Sequence, residues 1–297
     1  MDYKKIIPFL AMPILLLAVE AGSILLSLPI QAAGLVAFDN PNSVVNPIIF
    51  VVILLAFTGL LLLLIKYNLK KVISAVIGIS IFLTFGYIFT ALVTMVMGTT
   101  DAAIVVMLIL SVLATVALYA YPEWYVIDIL GIFIGAGVAS IFGVSLNIWP
   151  VIVLLVILAV YDAISVYKTR HMITLAEGVI DLKSPILFVI PKRRSYSFIR
   201  EGVGKLDEGG ERSAFIMGMG DLIMPSILVV SANVFSKSDR LFGAINLPAL
   251  GAIIGSLVGL VVLLYFVTSG RPQAGLPPLN GGTIIGFLVG WALVGFV

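Results

Sequence analysis

Residues 147–167 read NIWPVIVLLVILAVYDAISVY, and Asp162 is the one charged residue in this apolar stretch. A helix of about 20 mostly apolar residues spans the hydrocarbon layer of a bilayer. The stretch therefore predicts a membrane-spanning helix that carries an acid. An ionisable group at such a depth is energetically expensive, so it indicates a functional site.

The composition of the whole chain has the same character. Of its 297 residues, 61% are hydrophobic and 11% are charged, whereas an average soluble domain carries about 25% charged residues. A soluble fold could not bury so much apolar surface, so we predict a protein embedded in the lipid bilayer. The net charge of +2 gives no basic field for nucleic acid, and the absence of cysteine excludes disulfides, thiolate metal sites and cysteine nucleophiles.

The hydropathy pattern predicts an all-α, polytopic membrane protein with nine transmembrane helices. They fall at roughly 6–30, 47–65, 72–97, 102–121, 125–143, 147–167, 213–235, 248–268 and 275–297. We divide the chain into six N-terminal helices (1–167), one long loop (168–212) and three C-terminal helices (213–297). All three parts belong to one membrane domain.

Basic residues in the loops predict the orientation, because Lys and Arg concentrate on the cytoplasmic side. With a cytoplasmic N-terminus, the inside segments hold 2, 3, 0, 9 and 1 basic residues, and the outside segments hold only Lys237 and Arg240. We therefore expect a multi-pass protein of the cell membrane with its N-terminus inside and its C-terminus outside.

Four acids fall within the predicted spans, and no basic residue lies deep enough to neutralise them. We interpret Asp128, one turn into its helix, as reaching the interface. We interpret Glu20 as a polar residue that stabilises the packing of neighbouring helices. Asp162 lies five residues before the cytoplasmic end of helix six, and Asp221 lies eight residues after the cytoplasmic start of helix seven. These depths are roughly 8 and 12 Å, and consecutive helices run antiparallel, so the two carboxyls are expected at a similar level.

Two carboxyls in contact cannot both ionise cheaply, so the pair shares a proton. This arrangement suits hydrolysis of a peptide bond: the ionised Asp removes a proton from water, and the protonated Asp hydrogen-bonds to the scissile carbonyl. Neither a covalent intermediate nor a cofactor or metal is needed. Asp162 and Asp221 are therefore the predicted catalytic residues.

Two motifs around these acids resemble those of the presenilin and signal-peptide-peptidase family. Leu158 to Asp162 (LAVYD) resembles its YD motif, and Gly218 to Asp221 (GMGD) resembles its GxGD motif. The stretch Met172 to Glu177 is similar to the presenilin segment after the first aspartate, and Asp221 to Pro225 is closer to the signal-peptide-peptidase branch. The resemblance implies a nine-span aspartyl protease that cleaves peptide bonds within the membrane, and a short microbial, archaeal-type presenilin homologue.

The third signature of that family is a Pro-Ala-Leu tripeptide at the start of the last helix. The literal copy at 248–250 begins helix eight, so we interpret it as a decoy and assign the role to 276–279, which reads Leu-Pro-Pro-Leu. Consecutive prolines are expected to keep the chain extended as a substrate-facing wall; the alternative is a plain helix-starting proline pair. The predicted substrate-binding residues are Tyr161, Gly218, Met219, Gly220, Leu276, Pro277, Pro278 and Leu279.

The resemblance also implies that the loop 168–212 helps to admit substrate, by strand pairing with an unwound peptide. Its run from Ile186 to Ile190 is β-prone and could pair in this way; the alternative is a solvated linker. The expected partners are transmembrane-helix substrates with an outside N-terminus. Obligate partner subunits are not evident, and a homo-oligomer stays open.

Two other function classes compete with the protease. Buried acids and broken helices are also typical of a proton-coupled transporter or channel, although no inverted repeat is visible. A scaffold that binds spanning helices through glycine-rich faces leaves the two aspartates unexplained. Zinc and serine membrane proteases need histidines within the site, whereas the single histidine, His171, falls in the predicted cytoplasmic loop and is interpreted as a surface residue.

Overall fold

The computed structural model describes residues 3–169, 187–193, 195–202, 213–241, 243–267 and 273–295. Nine long helices account for most of these residues. They are α1 (Tyr3–Ala32), α2 (Val45–Lys66), α3 (Lys70–Met97), α4 (Asp101–Ala120), α5 (Trp124–Ser145), α6 (Ile148–Ile164), α7 (Met219–Phe235), α8 (Leu247–Val267) and α9 (Leu276–Val294).

The helices confirm the predicted all-α membrane fold. Eight of them are long and apolar enough to cross a membrane, and the ninth, α7, is a shorter apolar helix of 17 residues. At 1.5 Å per residue, α7 is about 25 Å long. A helix of that length lies at the lower limit for a span, so α7 completes the predicted set of nine.

Short strands lie between the helices. β1 (Leu187–Pro191) pairs in antiparallel fashion with β2 (Ala214–Gly218), with Leu187 opposite Gly218. A single turn of helix, Phe198–Glu201, lies between them, and β3 (Arg240–Leu241) pairs with β4 (Ile245–Asn246) before α8. The helix α6 continues beyond Ile164 as a π-helical turn, Ser165–Thr169. The prediction that 186–190 is β-prone is confirmed for Leu187 to Ile190.

The predicted start of the seventh helix at residue 213 is wrong. Residues 214–218 form β2, and the helix begins at Met219, so Asp221 is its third residue. The run Ala-Phe-Ile-Met is apolar throughout, and hydropathy does not distinguish a buried strand from the first turn of a buried helix. His171, Ile186 and 172–177 lie outside the described residues.

The expectation that Pro277 and Pro278 keep the chain extended is also wrong. They lie in the first turn of α9, which continues without a break from Leu276 to Val294. The first N–H groups of a helix have no acceptor within it, so proline sacrifices no hydrogen bond there. The helix-starting proline pair is the correct interpretation.

Glycines let α8 and α9 pack with their backbones in contact. A Cβ atom on Gly286 would lie only 2.8 Å from the Cα atom of Gly255. At the far end of α9, a Cβ on Gly290 would lie 3.0 Å from the Cα of Pro248. The tripeptide at 248–250 is therefore at the opposite end of α9 from Leu276, away from the predicted site.

Polar contacts inside the bundle join α1 to its neighbours. The Ser256 hydroxyl on α8 donates to Oε1 of the buried Glu20 at 2.7 Å. The Ser140 hydroxyl on α5 donates to the backbone carbonyl of Ser23. Glu20 thus contacts a neighbouring helix, in agreement with its interpretation as a polar residue that stabilises helix packing.

Candidate active site

Asp162 lies near the end of α6 and is 4% exposed. Its Oδ2 atom accepts the backbone N–H of Leu276 at 3.0 Å, and the carboxyl also accepts the N–H of Gly275. Gly275 is the N-cap residue of α9. The carboxyl of Asp162 therefore caps the N-terminus of another helix, where the helix dipole favours a negative charge.

Asp221 approaches the same backbone from α7. Its carboxyl accepts the N–H of Gly218, the N-cap residue of α7, in the manner of a capping box. All three atoms of the carboxyl group lie 3.2 Å from the place that a Cβ on Gly275 would occupy. Asp221 also lies close enough to Asp162 for the two carboxyls to interact electrostatically. The structure therefore brings the two predicted aspartates together around Gly275, which the sequence reasoning did not single out.

The residues of the GxGD segment point in different directions. Gly218 ends β2, and Gly220 faces open space, with no atom within 4 Å of an added Cβ. The side chain of Met219 is buried against α5, where its Cε atom lies 2.8 Å from the Cβ position of Gly131. Gly218 thus lies beside the carboxyl of Asp221, whereas Met219 anchors the start of α7.

The other predicted substrate-binding residues are spread around Asp162. The hydroxyl of Tyr161 is hydrogen-bonded to Thr58 on α2. Leu276 and Leu279 are buried in the core, while Pro277 and Pro278 line a cavity. The placement of the prolines therefore fits a substrate contact more directly than that of Tyr161.

That cavity has a volume of about 450 Å³ and lies between the end of α6, the end of α8 and the start of α9. The hydroxyl of Tyr167 donates to Gln273 Oε1 at 2.9 Å and accepts the N–H of Ala274 at 3.3 Å. The lining is otherwise apolar, so the cavity suits a hydrophobic side chain. It is lined by Ala163, Tyr167, Leu263, Phe266, Gln273, Ala274, Pro277 and Pro278.

The sequence analysis predicted that Asp128 on α5 reaches the interface. In the structure it does not. It is 8% exposed, and its Oδ1 atom accepts the backbone N–H of Val189 in β1 at 2.8 Å. The prediction failed because a strand of the long loop folds back over this end of α5. The available sequence signal was an acid within a predicted span that no basic residue neutralises.

This hydrogen bond defines the two edges of the β1–β2 hairpin. In an antiparallel pair, the N–H and C=O of one residue point to the same edge, and the edge alternates from residue to residue. Since the N–H of Val189 faces α5, its partner Ile216 faces the opposite edge of the sheet. Gly218, two residues on, also faces that edge, in agreement with its N–H bonding to Asp221.

Asn280 is a further buried group that the sequence reasoning missed. Its Nδ2 atom donates to the carbonyl of Leu155 at 3.0 Å, which joins α9 to α6 one turn beyond Leu276. An asparagine within an apolar span was the available signal. Together with Asp162, it holds the start of α9 against α6.

Comparison with known proteins shows which protein family the chain resembles. The family model described as signal-peptide peptidase, presenilin aspartyl protease matches residues 12–296. A solved presenilin family intramembrane aspartate protease, in a P2 crystal form, is 55% identical over 96% of this chain and 98% of its own, with a TM-score of 0.71.

A second structure, also of a presenilin family intramembrane aspartate protease but in a C222 crystal form, is 51% identical over 97% and 98% of the two chains, with a TM-score of 0.70. The search of curated proteins found no significant match. Both the family model and the solved structures thus cover nearly the whole chain. The chain belongs to the signal-peptide peptidase and presenilin family, and it is an intramembrane aspartic endopeptidase.

Proposed function

We propose that Asp162 and Asp221 are the catalytic pair of this protease and that they hydrolyse peptide bonds in transmembrane helices. The observation that carries the proposal is the convergence of the two carboxyls, from α6 and α7, on the backbone of Gly275 and Leu276. Two carboxyls that interact in this way share a proton, as water activation requires. The family match gives no support to the transporter or channel hypothesis.

The backbone contact of Asp162 supports different roles for the two acids. Asp162 accepts the backbone N–H of Leu276 at 3.0 Å at a helix N-terminus, where both the hydrogen bond and the helix dipole stabilise a carboxylate. Asp162 is accordingly the base that activates water, and Asp221 is the acid that hydrogen-bonds to the scissile carbonyl.

The proposed reaction needs only these two groups and water. As water adds to the carbonyl carbon, the Asp162 carboxylate takes one of its protons and the Asp221 carboxyl gives its proton to the carbonyl oxygen. The resulting gem-diol returns a hydroxyl proton to Asp221 while the C–N bond breaks, and Asp162 passes its proton to the leaving amine. Each carboxyl ends in its starting protonation state.

Replacement of either acid tests the proposal. Asp162→Asn and Asp221→Asn are expected to abolish cleavage of a single-span substrate by purified protein, whereas Asp101→Asn, an exposed acid at the start of α4, is expected to cleave normally. Thermal unfolding in detergent serves as the control for folding. Persistent cleavage by either folded site variant would overturn the assignment.

Substrate binding by strand addition is supported by the edges of the hairpin. The β1 edge is occupied by Asp128, whereas Ile216 presents its N–H and C=O on the β2 edge. Within the part of the chain that the structure describes, no group outside the sheet bonds to the backbone of Ile216. A helix hides its peptide bonds, so the substrate must unwind before hydrolysis. An unwound substrate strand that pairs with β2 would lead towards Asp221, because β2 ends three residues before it.

We further propose that the protein lies in the cell membrane with its N-terminus inside and its C-terminus outside, and that it prefers substrates with an outside N-terminus. The basic residues support this orientation. The chain has no cysteine, so single cysteines report it cleanly. In intact cells, an impermeant maleimide is expected to label Asn42→Cys, between α1 and α2, and not Asn68→Cys, between α2 and α3. The reverse pattern would invert the orientation and the substrate preference.

A further inference from the structure

Asp128 is a buried acid that the proposed reaction does not use. It lies on α5, one turn from the start of the helix, and the one hydrogen bond of its carboxyl group within the described residues is the 2.8 Å contact from the N–H of Val189. A carboxyl group in this position satisfies a backbone donor that the sheet itself leaves unpaired. It therefore fixes where β1 lies along α5.

The next turn of the same helix face holds the other parts of the site. A Cβ atom on Gly131 would lie 3.1 Å from Cε1 of Phe188 in β1 and 2.8 Å from Cε of Met219 in α7. Residues three apart on a helix share one face, so Asp128 and Gly131 belong to one contact surface of α5. This surface packs against both β1 and the start of α7, two residues before Asp221.

We propose that Asp128 is a positioning residue that sets the register of the substrate strand relative to Asp221. The inference rests on the proposed strand addition to β2. A one-residue slip in an antiparallel sheet turns every side chain to the other face, so the position of the hairpin selects which peptide bond reaches the two carboxyls. Asp128 fixes β1, β1 fixes β2 through their pairing, and β2 fixes the substrate.

The chemistry of this contact predicts a difference between substitutions. The amide oxygen in Asp128→Asn still accepts the N–H of Val189, so this variant should keep the sheet in place. Asp128→Leu has the same number and branching of side-chain heavy atoms but no acceptor, and it is bulkier. It leaves a buried N–H unpaired, and β1 is then expected to slide or separate from α5.

The test is mass spectrometry of the products that purified variants release from one single-span substrate, together with steady-state kinetics. Asp128→Leu is expected to lower kcat/KM about tenfold, mainly through kcat, and to spread cleavage over neighbouring peptide bonds. Asp128→Asn is expected to keep the wild-type bond and rate. Should Asp128→Leu fail to fold, Asp128→Ala removes the acceptor without added bulk and carries the same expectation.

Ser140→Ala is the matched control, because it removes a buried hydrogen bond of the same helix that leads to α1 rather than to the sheet. It is expected to lower stability without changing the bond that is cleaved. A folded, active Asp128→Leu or Asp128→Ala variant with the wild-type product pattern would overturn the inference. Cleavage by folded Asp162→Asn would instead overturn the proposed catalytic pair, so the two failures are distinguishable.

Discussion

The carboxyl group of Asp162 on α6 accepts a 3.0 Å hydrogen bond from the backbone N–H of Leu276, the first residue of α9. One side chain thus caps the last helix and belongs to the proposed catalytic pair. The packing of α9 and the geometry of the acid are therefore coupled. A substitution that moves the start of α9 is expected to alter catalysis as well as stability.

Gly275→Val is expected to reduce catalysis more than folding. A Cβ on Gly275 would lie 3.2 Å from the carboxyl group of Asp221, and the branched side chain of valine requires that the acid move. A small displacement of a reacting group is costly, so kcat should fall at least about tenfold. The measurement is kcat on a single-span substrate. Gly281→Val, where an added Cβ meets no atom within 4 Å, is the control; equal losses in both variants would contradict the expectation.

Gly286→Ala is expected to destabilise the protein. The added methyl group would lie 2.8 Å from the Cα of Gly255, so α8 and α9 must separate. Overpacking of this kind costs about 1–3 kcal/mol of unfolding free energy. Thermal unfolding in detergent should show a lower midpoint for Gly286→Ala than for Gly281→Ala. Identical midpoints would mean that the two helices pack less closely than described.

Ser256→Ala is expected to leave Glu20 without a partner. Ser256 donates to Oε1 of Glu20 at 2.7 Å, and Oε2 has no partner in the described structure. A buried polar group that loses its hydrogen bond costs about 1–3 kcal/mol. The double variant Glu20→Leu with Ser256→Ala removes both groups and should recover part of this loss. A double-mutant cycle of unfolding free energies measures the coupling, and a value of zero would rule out the contact.

Glu123→Ala is expected to loosen the segment between β1 and β2. Oε1 of Glu123 accepts the Ser197 hydroxyl at 2.6 Å, and Oε2 accepts the N–H of Phe198 at 3.0 Å. Hydrogen exchange at Phe198 should become faster once this acceptor is removed. Glu201→Ala, which removes an ion pair between partly exposed side chains, is the control because exposed pairs contribute about 0–1 kcal/mol. Unchanged exchange at Phe198 in Glu123→Ala would contradict the hydrogen bond from the Phe198 N–H to Glu123.

The spans and the acid pair could be predicted because the bilayer imposes simple constraints. Lipid offers no hydrogen bonds, so an apolar run of sufficient length must be helical, and the two acids were conspicuous in such runs. The chain at 214–218 was misassigned because an apolar strand in protein surroundings has the same hydropathy as a helix. The position of Asp128 was predicted wrongly because its hydrogen-bond partner, Val189, lies 61 residues away in the chain. A contact over such a separation leaves no local pattern in the sequence.

Hydropathy and residue chemistry were sufficient to predict the helical membrane fold and to single out the two aspartates, and the family resemblance pointed to the segment at 276–279, because each depends on local composition or on a short motif. The tertiary structure alone decided how they meet. In the structure, Asp162 contacts the N-terminus of α9 and Asp221 lies against Gly275. The hydrogen bond of Asp128 to β1 leaves the free edge of the hairpin on β2. These relationships depend on contacts between residues far apart in the chain, and only the packing of the helices brings such residues within hydrogen-bonding distance.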